Sequence, residues 1–208
     1  PATTEIYTEE KRLSLHDALP IYTGAVTVSA RPPSVTFGSA DATADAPSAF
    51  TYAWLGPFIG AAVRPLGGWI ADKWGGSLVT QIISVILVGG SVATGMVMTQ
   101  AYASATPEQY FPAFLGLILL LFFASGIGNG STFRTIGVIF DRTQAGPVLG
   151  WTSAIAAYGA FIAPVVIGAQ IKAGTPQYAM YGFAIFYAVC LVLNWWFYLR
   201  GNAYVKNP

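Results

Sequence analysis

One arginine stands in the middle of a hydrophobic run. Residues 56–76, GPFIGAAVRPLGGWIADKWGG, begin as an apolar, small-residue helix and end in a tight polar turn, with Arg64 inside the apolar part. Arg64 precedes Asp72 by eight residues, about 12 Å along a helix axis. If Asp72 and Lys73 mark a membrane surface, the guanidinium starts well below it, where a charge costs at least roughly 2.5–3.5 kcal/mol. Two readings fit such a group. One is an anion-binding arginine facing a water-filled path, its planar fork matched to flat oxyanions. The other is an arginine that snorkels back to the interface along its own stem. Gly60, Arg64 and Gly68 recur every four residues, so they are expected to share one face, where small residues let a neighbouring helix or a small ligand come close.

Three further groups carry candidate chemistry. Asp72 and Lys73, followed by Gly75 and Gly76, form a polar turn that either pairs with a neighbouring helix end and locks one conformation or simply caps two hairpin helices. Residues 125–134, SGIGNGSTFR, place Gly126, Gly128 and Gly130 inside an apolar helix, at a cost of about 1 kcal/mol each relative to alanine. Close packing, a helix break or backbone exposed to a ligand would each explain them. Asn129 among them can hydrogen-bond an oxyanion. Neither a preceding strand nor a following Lys-Ser/Thr accompanies these glycines, so they do not read as a nucleotide loop. In residues 150–161, GWTSAIAAYGAF, Ser153 opens a small-residue stripe through Ala157, Ala160, Pro164 and Gly168 that reads as a helix-packing seam. Tyr158 points away from that stripe, which makes it a candidate to line a cavity.

These residues sit on long apolar segments. The chain has 208 residues, 54% hydrophobic and only 9% charged, against about 25% charged in soluble domains. The composition and the long apolar runs define an all-α integral membrane protein. Five spans are expected, at about residues 50–71, 78–99, 111–134, 147–171 and 178–199. Lys73, Arg134, Arg142, Arg200 and Lys206 fall on one side of this arrangement and only Lys172 on the other. The excess marks the cytoplasmic side and places the C-terminus there. Tyr178, Tyr181, Trp195, Trp196 and Tyr198 lie near the ends of the last span, where interfacial aromatics belong.

Residues 1–48 read differently. Six of the nine acids lie before residue 46, and residues 23–48 are rich in Ala, Ser, Thr, Pro and Asp with little periodicity. Residues 2–8 and 13–21 resemble a translated sequencing-adapter artefact. The segment 1–48 is therefore expected to be disordered or artefactual, and residues 49–204 to form the membrane domain. The absences carry weight too. No Asp, Glu or His lies within the five spans, so a proton relay would lack its usual carriers there. Cys190 and His16 are the single residues of their kinds, which speaks against a disulfide or a metal site. Neither a nucleophile with its base nor a cofactor fingerprint is present; no metal, cofactor or nucleic acid is expected, and an enzyme is the weakest reading.

Residues 68–76 resemble the loop signature of the major facilitator superfamily, of the form G-x-x-x-D-K/R-x-G. Residues 56–76, 126–140 (GIGNGSTFRTIGVIF) and 150–164 (GWTSAIAAYGAFIAP), with the last span at 183–200, are similar more specifically to the nitrate/nitrite porters of that superfamily. The resemblance covers about residues 49–204. It implies a twelve-helix carrier of a bacterial inner (plasma) membrane, whose two halves rock about a central site, with this chain holding helices 8–12. Each half of such a carrier supplies one substrate arginine; Arg64 matches that of helix 8, and its partner belongs to the N-terminal half. Residues 150–161 match the second nitrate signature, which makes Ser153, Tyr158 and Gly159 substrate-side candidates beside Arg64 and Asn129. Ala156 and Ala160 stand where the signature commonly has glycine. Gly68, Asp72, Lys73, Gly75, Gly126, Gly130 and Gly150 are expected in gating or structural roles. Nitrate and nitrite are the implied substrates, with protons as co-substrate where uptake is proton-coupled. The bilayer and the N-terminal half are the implied partners. Two arginines around one monovalent anion would leave residual positive charge. An empty carrier then reorients poorly, which favours nitrate/nitrite exchange. A carrier of another small anion, or a membrane fragment inert without its other half, are the alternatives.

Overall fold

The computed structural model describes residues 27–28, 35–36, 49–203 and 205–208, with residues 27–28, 35–36, 49, 50 and Arg142 described by the backbone alone. The expectation of disorder in residues 1–48 falls outside the described residues, except for a short antiparallel ladder of β1 (Thr27–Val28) with β2 (Val35–Thr36). From residue 49 onward the described chain is helical. The helices are α1 (Ala49–Ala53), α2 (Leu55–Ala62), α3 (Arg64–Trp74), α4 (Gly76–Ala103), α5 (Phe111–Ile139), α6 (Arg142–Lys172) and α7 (Gln177–Asn194). A wider turn, Trp195–Leu199, continues α7, and in it the Arg200 N–H donates to the Trp195 carbonyl five residues back at 3.0 Å.

Among the described residues four helices are long and apolar enough to cross a membrane: Gly76–Ala103, Pro107–Ile139, Thr143–Lys172 and Gln177–Leu199. The run expected as a fifth span is helical too, but it is interrupted at Trp54 and Val63. Pro57 and Pro65 explain the interruptions, since neither can donate to the carbonyl four residues back. The rod is not broken. Both interrupting residues keep right-handed helical dihedrals. Phe58 still donates to Trp54 (3.1 Å), Val63 to Ile59 (3.1 Å) and Gly67 to Val63 (3.0 Å).

Helix α4 lies at the centre, packed against α3, α5 and α7. The core joins Val63 and Ala71 of the first rod, Val79, Ile83 and Leu87 of α4, and Ala124 and Ile127 of α5. Polar bonds pin these seams. Thr80 and Ser131 share a hydroxyl hydrogen bond of 2.8 Å between α4 and α5. The Asn194 carboxamide donates to the Ser77 carbonyl (2.9 Å) and to Gln81 Oε1 (2.7 Å) between α7 and α4. In an apolar surrounding such pairs hold register, because parting them leaves polar groups unmet. Helix α6 is the exception. No residue of its most apolar stretch is buried, and Trp151, Ile155, Tyr158, Phe161 and Val165 stand exposed.

Candidate functional site

The interrupted rod positions Arg64. Its buried residues are Gly56, Gly60, Val63, Gly67 and Ala71. These steps of four, three, four and four residues make a single stripe along the helix. Arg64 and Gly68 lie beside that stripe, not on it. The expected common face of Gly60, Arg64 and Gly68 is thus corrected: Gly60 is buried against α5, Arg64 is exposed, and a methyl at Gly68 would meet nothing within 4 Å. The reason is angular. Each residue turns about 100° around a helix, so a series in steps of four drifts about 40° per step, and two steps carry Gly68 off the packed face.

The glycines of α5 form the other wall. Helix α5 runs unbroken from Phe111 to Ile139 through residues 126–130, and each glycine meets a different neighbour. A Cβ at Gly126 would press on the Gly60 carbonyl and the Val63 side chain, one at Gly128 would come within 3.1 Å of Ile83, and one at Gly130 would overlap the Arg64 carbonyl. The rod and α5 therefore touch backbone to backbone where Arg64 leaves the stripe. Asn129 is next to this crossing, and its Oδ1 is buried without a hydrogen-bond partner. No described residue forms an ion pair with Arg64; the one ion pair among the described residues lies elsewhere.

That pair joins Asp72 to Arg134, whose Nε donates to Asp72 Oδ1 at 3.0 Å across the α3–α5 seam. Asp72 thus meets a side chain projecting from within α5, five residues short of its end at Ile139. The sequence reading counted Arg134 only as a cytoplasmic charge. The signal available was its place four residues beyond Gly130, on the helix face that crosses the rod. Lys73 takes no part in the pair, and its ammonium lies 4.0 Å from the Trp69 ring centre. Gly75 has φ +87°, a conformation that side chains rarely adopt.

Ser153, Tyr158 and Gly159 are not brought to Arg64. All three are exposed on α6, which is not packed against α3. The Ser153 hydroxyl donates to the Leu149 carbonyl of its own helix at 2.8 Å, and methyl groups at Gly150 and Gly159 would meet open space. The site falls into two parts: Arg64 with the Asn129 segment on one, and an exposed α6 face on the other.

An arginine at a glycine crossing, an acidic signature turn and four spanning helices can be set beside known proteins. Residues 22–208 match the sequence profile of the Major Facilitator Superfamily. The chain belongs to the major facilitator superfamily. Among its relatives is a protein named probable nitrate/nitrite antiporter NarK2, from Thermus thermophilus, 40% identical over 159 residues, which cover 76% of this chain and 35% of the relative. The nitrate/nitrite transporter NarU of Escherichia coli (strain K12) is 35% identical over 170 residues, covering 71% of this chain and 36% of the relative. A nitrite extrusion protein of Bacillus subtilis (strain 168) is 31% identical over 143 residues, covering 67% and 33%. The chain spans about a third of the length of these curated relatives. This superfamily chain is an all-α membrane protein, as its composition required.

Proposed function

We propose that the chain is the C-terminal part of a nitrate/nitrite transporter working by alternating access, and that Arg64 is its anion ligand. The observation that carries this reading is the combination at Arg64. A permanently charged, planar donor stands in an apolar rod beside a backbone crossing, with no carboxylate paired to it among the described residues. Nitrate is flat, singly charged and rich in acceptors, and a guanidinium can meet two of its oxygens at once. Asn129 is the second ligand. A buried carboxamide atom without a partner is costly, and turning the amide presents N–H groups to the same anion. Ser153, Tyr158 and Gly159 of α6 complete the wall once the other half of the carrier encloses it.

The names of the relatives support nitrate and nitrite as substrates. Exchange of one for the other is the favoured mode, since none of the runs 50–71, 78–99, 111–134, 147–171 and 178–199 holds an acid or histidine to carry a proton. The N-terminal half supplies the opposing arginine and is required for activity; Asp72 and Arg134 gate the cytoplasmic end. The carrier resides in a bacterial inner membrane with the C-terminus in the cytosol, on the strength of the Lys and Arg asymmetry. The test is nitrate/nitrite counterflow by the full-length carrier in proteoliposomes. Arg64→Lys and Arg64→Gln are expected to lower it by about one to two orders of magnitude, the loss of one or two charge-assisted hydrogen bonds. Asn129→Ala is expected to raise the nitrate KM. Undiminished flux in both arginine variants would refute the assignment.

A further inference from the structure

Helix α4 begins without a cap of its own. Its N-cap position is Gly75, which has no side chain to accept from the first free N–H groups. Yet two of those groups are met. The Leu78 N–H donates to Asn207 Oδ1 at 3.0 Å, and the Gly76 N–H donates to a main-chain oxygen of Pro208. Leu78 is three residues past the N-cap, so Asn207 does what a capping side chain at position 75 would ordinarily do, from 129 residues away. Its amide serves the other side of the turn as well: Nδ2 donates to the Trp74 carbonyl, at the end of α3, at 2.9 Å. The Asn207 N–H in turn donates to the Tyr198 carbonyl at 3.1 Å, fastening the tail to the last helical turn.

The surrounding residues fit this arrangement. A Cβ at Gly75 would overlap the Asn207 carboxamide, and one at Gly76 would lie 3.1 Å from the Pro208 oxygen and collide with Thr135. The two glycines of the signature turn thus leave room for the tail as well as reversing the chain. Asn207 has φ +45°, which asparagine tolerates better than most residues. Pro208 is buried.

We infer that Asn207 is a positioning residue, which caps the signature turn from the C-terminal tail and so sets the placement of α3 and of Arg64 at its other end. Two independent tethers then meet on this turn: Asp72 ties it to α5 through Arg134, and Asn207 ties it to the end of the final helix. Arg64 and Trp74 are the two ends of one helix, about 15 Å apart, so freedom at the turn reaches the anion ligand as a tilt of a rigid segment.

The inference rests on the nitrate reading only for its transport arm. In the full-length carrier, hydrogen exchange resolved to single amides should find Gly76 and Leu78 protected. Asn207→Gly keeps the backbone conformation accessible and removes the cap. It should speed exchange at Leu78 about fivefold, as expected for one capping interaction, and raise the nitrate KM by a similar factor while kcat changes less than twofold. Asn207→Asp keeps the acceptor for Leu78 but loses the donor to the Trp74 carbonyl, so it should restore only part of the protection at Leu78 and part of the KM. Three results would overturn the inference. The wild-type Leu78 amide could exchange at an unprotected rate, a measurement that stands even if Asn207→Gly does not accumulate. Exchange could be unchanged in Asn207→Gly. Exchange could accelerate while KM stays at the wild-type value, which would leave the tail a structural cap alone. A wild-type carrier that moves no nitrate would refute the functional reading instead, and the exchange data would still judge the cap.

Discussion

Two adjacent glycines on one helix should respond to the same methyl group with opposite signs. A Cβ at Gly67 would overlap the Ile127 carbonyl and lie 2.8 and 2.9 Å from its Cα and carbonyl carbon. All three atoms are backbone, so no rotamer change can relieve the clash, and α3 must move off α5 by several tenths of an ångström or more. Overpacking of that kind costs about 1–3 kcal/mol, here at the upper end because the obstacle is a helix backbone. The gain of about 1 kcal/mol from replacing a helical glycine offsets part of it, leaving Gly67→Ala destabilised by about 2 kcal/mol. At Gly68 the methyl meets nothing within 4 Å, so Gly68→Ala keeps only the helix-propensity gain of up to about 1 kcal/mol. The assay is thermal unfolding of both variants in the same detergent at one heating rate, with retention of the monodisperse peak after heating as a second readout. Gly67→Ala should melt below wild type and Gly68→Ala at or above it. A Gly67→Ala protein as stable as Gly68→Ala would mean that α3 and α5 do not cross as described. The site geometry around Arg64 would then fall with it.

The Asp72–Arg134 pair should be a weak latch. With the Asp72 side chain 65% exposed, a double-mutant cycle with Asp72→Asn and Arg134→Gln should give a coupling of about 1 kcal/mol or less that shrinks as salt is raised; a salt-insensitive coupling several times larger would contradict the exposure seen here. Asn194→Leu removes both bonds from α7 to α4 and strands the Gln81 amide oxygen, so it should cost about 1–3 kcal/mol. Pairing it with Gln81→Leu should recover part of that loss, and strictly additive melting shifts for the two changes would refute the contact.

What the sequence by itself makes legible is local: apolar runs long enough to cross a bilayer, four of which are helices of that length, follow from sums over neighbouring residues. The lone arginine at position 64 stands out for the same reason. The three glycines at 126–130 pointed to close packing, a helix break or an exposed backbone, since their cost in an apolar helix needs a return, and the unbroken helix leaves out the break. Which neighbour they meet could not be read. A residue's angle on a helix is fixed by its number, but the direction of the neighbouring helix is not. The packed stripe therefore proved to run through Gly67 and not Gly68, leaving Arg64 at its edge. The prolines at 57 and 65 were visible from the start, and they divide the first rod without breaking it, because each removes one donor from a ladder that closes again within a turn.

What remained hidden is what the chain brings together across long separations. Asp72 finds Arg134 across 62 residues, and Leu78 finds Asn207 across 129. No periodicity or composition encodes such partners, because a single hydrogen bond chosen from many polar side chains leaves no repeating pattern. Hydropathy and charge by themselves determined that this is a membrane protein with one arginine out of place; only the packing of α3 against α5, and of the tail against the turn, decided what holds that arginine where it is.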